Sequence, residues 1–301
     1  MTRIVAVTPP EVTHQSSRKM ERNTAMNCKH FSVITALVLL SLTSFAATKP
    51  LNSPQGLAVD AKGNLYVANN GGNQILIYSP AYAQQTAKTI SKSVGSPSAV
   101  VVDALGNIWV ANLSGGPSGT GTVTEYSSTG VLTNTFTDGI DYPYAIATDG
   151  IGEIWIENNF NSVVVYPSYG GAPIKTFSFS QPVTGLASHN MWMALGRNGI
   201  TELWEVGNYL TGAYPVGGTL PSSAYALAWD SAGNIYYGTI EDSLNITTAA
   251  TNVTSVLVTL GYFPWGIAVD HARGRVYVSD ANHNQINVYN ATTGALLHTI
   301  Q

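Results

Sequence analysis

Short apolar runs broken by Asp, Gly and Asn recur along the chain at a nearly constant spacing. The segments QGLAVDAKGNLYVAN, SAVVVDALGNIWVAN, YAIATDGIGEIWIEN, TGLASHNMWMAL, YALAWDSAGNIYYGT and WGIAVDHARGRVYVSD each open on one apolar run, cross a polar turn and enter a second. A third apolar run and a Thr-rich one follow. Aligned on Asp60, Asp103, Asp149, His189, Asp230 and Asp270, successive repeats are 43, 46, 40, 41 and 40 residues apart. Short apolar runs bounded by Gly and Asn read as strands. Four strand patterns repeating every ~40 residues are the mark of a propeller blade. The expected fold is therefore all-β, a six-bladed β-propeller of four-stranded antiparallel blades over residues 48–301.

Within the first repeat the pattern predicts strands at 56–59, 65–68 and 74–78, with a weaker fourth at 87–90. The spacing Asp60, Gly63, Asn64 recurs as Asp103, Gly106, Asn107 and as Asp230, Gly233, Asn234. It suits a hairpin in which the Asp carboxylate accepts the turn's backbone amides and Gly supplies a positive φ. That reading makes the Asp column structural, not a ring of metal ligands. In the fourth repeat His189 stands in the Asp column, and His189 with Asn190 makes a shortened turn. Tyr66, Trp109, Trp155, Trp192, Tyr236 and Tyr277 share one face of the second strand, where neighbouring blades must meet, and are expected in the core.

Finer motifs carry a family resemblance. Pro264, Gly266, Ile267, Ala268, Val269 and Asp270, then Val276 to Asp280, then Asn284, Gln285, Ile286, Val288 and Tyr289 resemble an NHL repeat. The first repeat is similar through Pro54, Gly56, Asp60, Gly63, Asn64, Val67, Asn69, Asn73 and Ile75, and the fourth and fifth repeats depart most. The resemblance implies a six-bladed propeller of the NHL or TolB-like kind. It implies function only loosely, because that family includes protein-binding modules, carbohydrate-associated proteins and a few enzymes.

Ahead of the repeats lies a different kind of sequence. From Met26 a short basic stretch leads into the apolar run 31–42 and then Ser44, Phe45, Ala46, the pattern of a secretory signal peptide. An apolar stretch 12 residues long is too short for a membrane span, which needs about 20. Residues 1–47 are thus expected to be an extension and leader, and the protein to be exported to the periplasm or the extracellular space. Five of the 13 basic and two of the 17 acidic residues lie in that leader, leaving 8 against 15. An acidic domain without a basic patch argues against nucleic acid and anionic membrane surfaces as partners. The single cysteine, Cys28, lies within the leader. Disulfides, cysteine catalysis and thiolate metal sites are thereby excluded from the propeller, which is expected to be monomeric.

Candidate binding residues come from departures between repeats. Just before the small residue that opens each first strand stand Gln55, Ser98, Tyr144, Thr184, Tyr225 and Trp265. Three of these are aromatic, with Tyr142, Tyr262 and Phe263 beside them. Such rings can stack on sugars or hold peptide side chains, or can simply cap the channel. Glu157 breaks a column otherwise made of Ala68, Ala111, Ala194, Gly238 and Ser279. With Asn158, Asn159 and Asn161 it could hold a hard cation such as calcium, or sit solvated at the rim. Asp280 lies in the matching loop of the sixth repeat. The candidate ligand-binding set is Tyr144, Tyr225, Trp265, Tyr142, Tyr262, Glu157, Asn158 and Asp280, with no catalytic residue and no required cofactor.

No nucleophile elbow, phosphate loop or zinc helix is present. Two functions fit. One is an exported, non-enzymatic propeller that binds a glycan, peptide or protein through one face. The other is a metal-dependent lactonase or lyase of the six-bladed type, which would need polar ligands on the channel strands, where Leu, Ala, Val and Ile predominate.

Overall fold

The computed structural model describes residues 50–197, 200–205, 215–220 and 224–301; the segment 1–47 expected to hold a leader lies outside them. Six antiparallel sheets follow one another along the chain, each a simple meander of consecutive strands. The first strands of the blades are Pro54–Val59, Pro97–Val102, Pro143–Thr148, Val183–His189, Ala226–Trp229 and Ile267–Asp270. Residues from all six line one central channel of about 600 Å³. The second strands Leu65–Asn69, Ile108–Asn112 and Ile154–Asn158 are buried at every position, because both of their faces meet an adjoining blade. The outer strands Leu132–Phe136 and Val253–Thr259 are mostly exposed.

Five blades have four strands, but the first has three. The expected strand at 87–90 is reduced to a single bridge between Ile75 and Ile90, beside a 3-10 turn at Thr86–Lys88. The preceding segment is drawn toward the sixth blade instead. Tyr82 stacks on His298 at 4.3 Å, Arg275 lies over the Tyr82 ring, and Arg275 Nη1 donates to the Pro80 carbonyl at 2.8 Å.

No strand is shared between the first and last blades. The ring closes through a common core of Leu51, Leu57, Leu65, Tyr277, Ile286, Val288 and Ile300, and through bonds that repeat those between other blades. Asn73 Oδ1 accepts Ser96 N–H and Asn284 Oδ1 accepts Ser53 N–H, both at 2.7 Å. The segment before the first blade is clipped by Asn69, which accepts Asn52 N–H and donates to the Pro50 carbonyl.

Turn chemistry follows the expected column at four of its members. Asp60, Asp103, Asp149 and Asp230 each accept backbone N–H groups two and four residues ahead. Asp270 differs, capping the 3-10 turn His271–Arg273. At His189 the boundary is also shifted: His189 pairs with Trp192 inside the hairpin, and Asn190 and Met191 form the turn. The aromatic column is buried, Trp192 alone remaining half-buried. Three of its members are bonded to the turns, Tyr66 Oη to Asp60 at 3.4 Å, Trp109 Nε1 to Asp103 at 3.1 Å and Trp155 Nε1 to Asp149 at 2.7 Å.

Candidate functional site

A β-bulge shapes one mouth of the channel. In the first three blades the first strand opens on Pro54, Pro97 or Pro143, and in the fourth on Val183; the register slips just after each. Proline has no N–H for the ladder and is tolerated at a strand's first residue. The extra residue is Ser98, Tyr144 or Thr184, and Gln55 with Gly56 in the first blade, which is how a bulge re-aims a side chain toward a site.

The six positions then divide by chemistry. Ser98 Oγ donates to the Pro143 carbonyl and Thr184 Oγ1 to the Ala224 carbonyl, each at 2.6 Å. These small residues tie one blade to the next. Ser279 does the same at the closure, its Oγ donating to the Gln55 carbonyl at 2.7 Å. Tyr144, Tyr225 and Trp265 line the channel. Tyr144 stacks on Phe160 at 4.0 Å with planes 24° apart. Phe263 packs edge-on between Tyr225 at 5.3 Å and Trp265 at 5.1 Å. Trp265, Tyr142 and Phe160 are 43%, 44% and 41% exposed, so the rings form a wet aromatic surface backed by other rings.

Other members of the candidate set lie elsewhere than expected. Tyr262 is buried between the last two blades, where its hydroxyl bonds Tyr289 Oη and accepts from Asn287 Nδ2; its ring faces the core. Glu157 is neither solvated nor at the surface, being 0% exposed. Its carboxylate accepts Phe160 N–H at 2.5 Å and Tyr144 N–H at 3.2 Å. Burial pushes its pKa up to about 8 although backbone N–H groups favour the charged form. Asn158 is a clip, accepting Asp141 N–H at 2.6 Å and donating to the Gly139 carbonyl. Asp280, 1% exposed, holds its own loop through His283 Nδ1 at 2.7 Å, His283 N–H and Gln285 Nε2.

The clipping role of Asn158 was open to view in the repeats. Asn69, Asn112 and Asn158 end three second strands, and each accepts a backbone N–H from the segment entering its own blade. Phe160 had no such signal, since its contact with Tyr144 depends on a positive φ of 60° in the loop. Among the described residues, no group of three or more His, Cys, Asp or Glu is placed to hold a metal ion, and no helix is long and apolar enough to cross a membrane.

Architecture and repeats define a six-bladed β-propeller. The NHL repeat profile matches residues 51–78, in the first blade, and 262–289, in the last. No curated protein matches the chain. Among solved structures, a streptogramin B lyase superposes with a TM-score of 0.56 over 85% of each chain at 16% identity. That likeness is one of fold.

Proposed function

We propose that this propeller is an exported, non-enzymatic binding module that takes a glycan or a peptide on the aromatic mouth of its channel. The observation carrying this reading is that Tyr144, Tyr225 and Trp265 occupy one repeat position and line one channel, each backed by a further ring. Half-exposed aromatics on a rigid frame offer large contact area at little entropic cost, which suits the faces of sugar rings and peptide side chains. The acidic balance leaves polyanions out of consideration.

The test is a glycan and peptide array probed with wild type and with a Tyr144→Ala, Tyr225→Ala, Trp265→Ala variant. Loss of the wild-type signals by a folded variant supports the site, since anchoring aromatics commonly contribute more than about 1 kcal/mol each. Unchanged binding by a folded variant overturns it. Unfolding of the variant assigns the rings to capping the channel. The competing reading, a metal-dependent lactonase or lyase, requires a stoichiometric divalent metal in purified protein by elemental analysis.

A further inference from the structure

Around the channel each first strand neighbours the next in chain order, and the sixth meets the first. The third and sixth blades therefore stand half a turn apart. Tyr144 and Trp265 approach the channel from opposite sides, and Tyr225, on the fifth blade, flanks Trp265. All three side chains are partly exposed, so a group entering the mouth meets aromatic rings on opposed walls. Such an enclosure suits a sugar, an apolar side chain or a cation. The distribution of charge decides between them.

Carboxylates gather on the blades that carry the rings. Tyr225 N–H donates to the Gly238 carbonyl at 3.0 Å, and the loop that follows Gly238 bears Glu241 and Asp242. Asp141 stands shortly before Tyr144, its own N–H held by Asn158. Trp265 N–H donates to the Ser279 carbonyl at 3.3 Å, and Asp280 comes next. Asp280 is buried and bonded to His283, out of a ligand's reach, and acts only through its field. The equivalent segments of the first and second blades, 51–53 with 70–73 and 94–96 with 113–121, hold no charged residue. In the fourth blade Arg197 is bound to Glu202 Oε1 at 2.6 Å. Glu157 adds little charge at neutral pH, since burial keeps its carboxyl protonated below about 8. The aromatic mouth is thus edged by carboxylates, and the arginine beside it is neutralised.

From this pairing of rings and carboxylates we infer that the mouth selects an organic ammonium group, carried by a quaternary amine or by a lysine side chain of a peptide. Aromatic rings attract such a cation through their quadrupole. Carboxylates around a cleft raise the local concentration of cations and orient them on approach. A neutral sugar would draw on the rings alone. The inference rests on the aromatic mouth being the binding site and adds the sign of the ligand's charge.

Ligand-observed NMR titration of the purified chain at neutral pH and low salt tests this with two matched pairs of probes. Choline is set against 3,3-dimethylbutan-1-ol, its uncharged isostere, and N-acetyl-lysine methylamide against the norleucine equivalent. At least one cation is expected to bind saturably and about fivefold or more tighter than its neutral counterpart. A preference for choline marks a quaternary amine, and one for the lysine derivative marks a peptide. A double variant, Glu241→Gln with Asp242→Asn, should weaken the preferred cation about twofold or more and leave its neutral counterpart unchanged; asparagine tolerates the positive φ of 54° at position 242. The Tyr144→Ala, Tyr225→Ala, Trp265→Ala variant should lose the cation altogether. No saturable cation binding, equal affinity for both cations and their neutral counterparts, or undiminished cation affinity in the folded carboxylate variant each overturns the inference. Equal affinities that vanish together in the folded triple variant overturn it while leaving the mouth a binding site. Affinities that survive in that variant remove the mouth as well. Should the triple variant fail to fold, the carboxylate variant and the neutral probes decide.

Discussion

Glu157 Oε1 accepts the Phe160 N–H at 2.5 Å, and the Phe160 ring so held lies 4.0 Å from that of Tyr144. Because the same carboxylate accepts Tyr144 N–H, one buried side chain positions both members of the stack. The part of the mouth contributed by the third blade is therefore organised from beneath by an ionisable group.

Stability should depend on pH through this group. The Glu157 carboxyl titrates near 4.5 when unfolded and near 8 when folded, burial being the main cause. Between those values the unfolded chain binds fewer protons, so stability falls as pH rises and levels off above about 8. The full loss amounts to about 5 kcal/mol at most. Urea unfolding from pH 4.5 to 8.5 should show this slope, and Glu157→Gln should flatten it. An unchanged slope in the variant would show that Glu157 is ionised when folded.

Asp103 accepts Leu105 N–H, Asn107 N–H, Asn107 Nδ2 and the buried Trp109 Nε1. Asp103→Ala should lower stability by about 2–4 kcal/mol, since it strips charge-assisted bonds and strands an indole donor in the core. Much of that cost should vanish when Trp109→Phe is already present. A double-mutant cycle on the melting curves gives the coupling directly.

A Cβ on Gly266 would overlap the Gln55 carbonyl, and one on Gly56 would lie 2.5 Å from Ala99 Cα. The obstacle is the backbone of the next blade's first strand, which cannot swing aside as a side chain can. Gly266→Ala should therefore destabilise by about 2–3 kcal/mol, a fall in Tm of roughly 5 °C or more. Calorimetry should show no comparable effect for Ala145→Gly, which creates no overlap.

Export predicts a processed N-terminus. Protein recovered from the periplasm or medium of the producing cells should begin at Ala47 or Thr48 by N-terminal sequencing, the apolar run 31–42 having been removed. Intact cytosolic protein that retains that run would refute secretion.

Much of the architecture was legible without coordinates because a propeller blade is a local object. Its strands are consecutive, its turns short, and its period falls directly on the chain, so Asp60, Asp103, Asp149 and Asp230 announce the same hairpin in four places. The burial of Trp109 and Trp155 followed from strand alternation for the same reason. What alternation cannot supply is what covers a given face. Glu157 sits in a column that faces the neighbouring blade, but its burial depends on the loop through Phe160 folding back over it, with a backbone conformation that composition does not announce. Tyr262 lies in the cluster of aromatics beside Trp265, yet only the meeting of the last two blades turns it inward to Tyr289. The missing fourth strand of the first blade was decided by a partner about 200 residues away, where His298 and Arg275 capture Tyr82 and Pro80. Local pattern thus determined which strands form and in what order. The side-chain environments at the two ends of the channel were decided by contacts between blades, which depend on volume, reach and the positions of loops that one repeat does not share with the next.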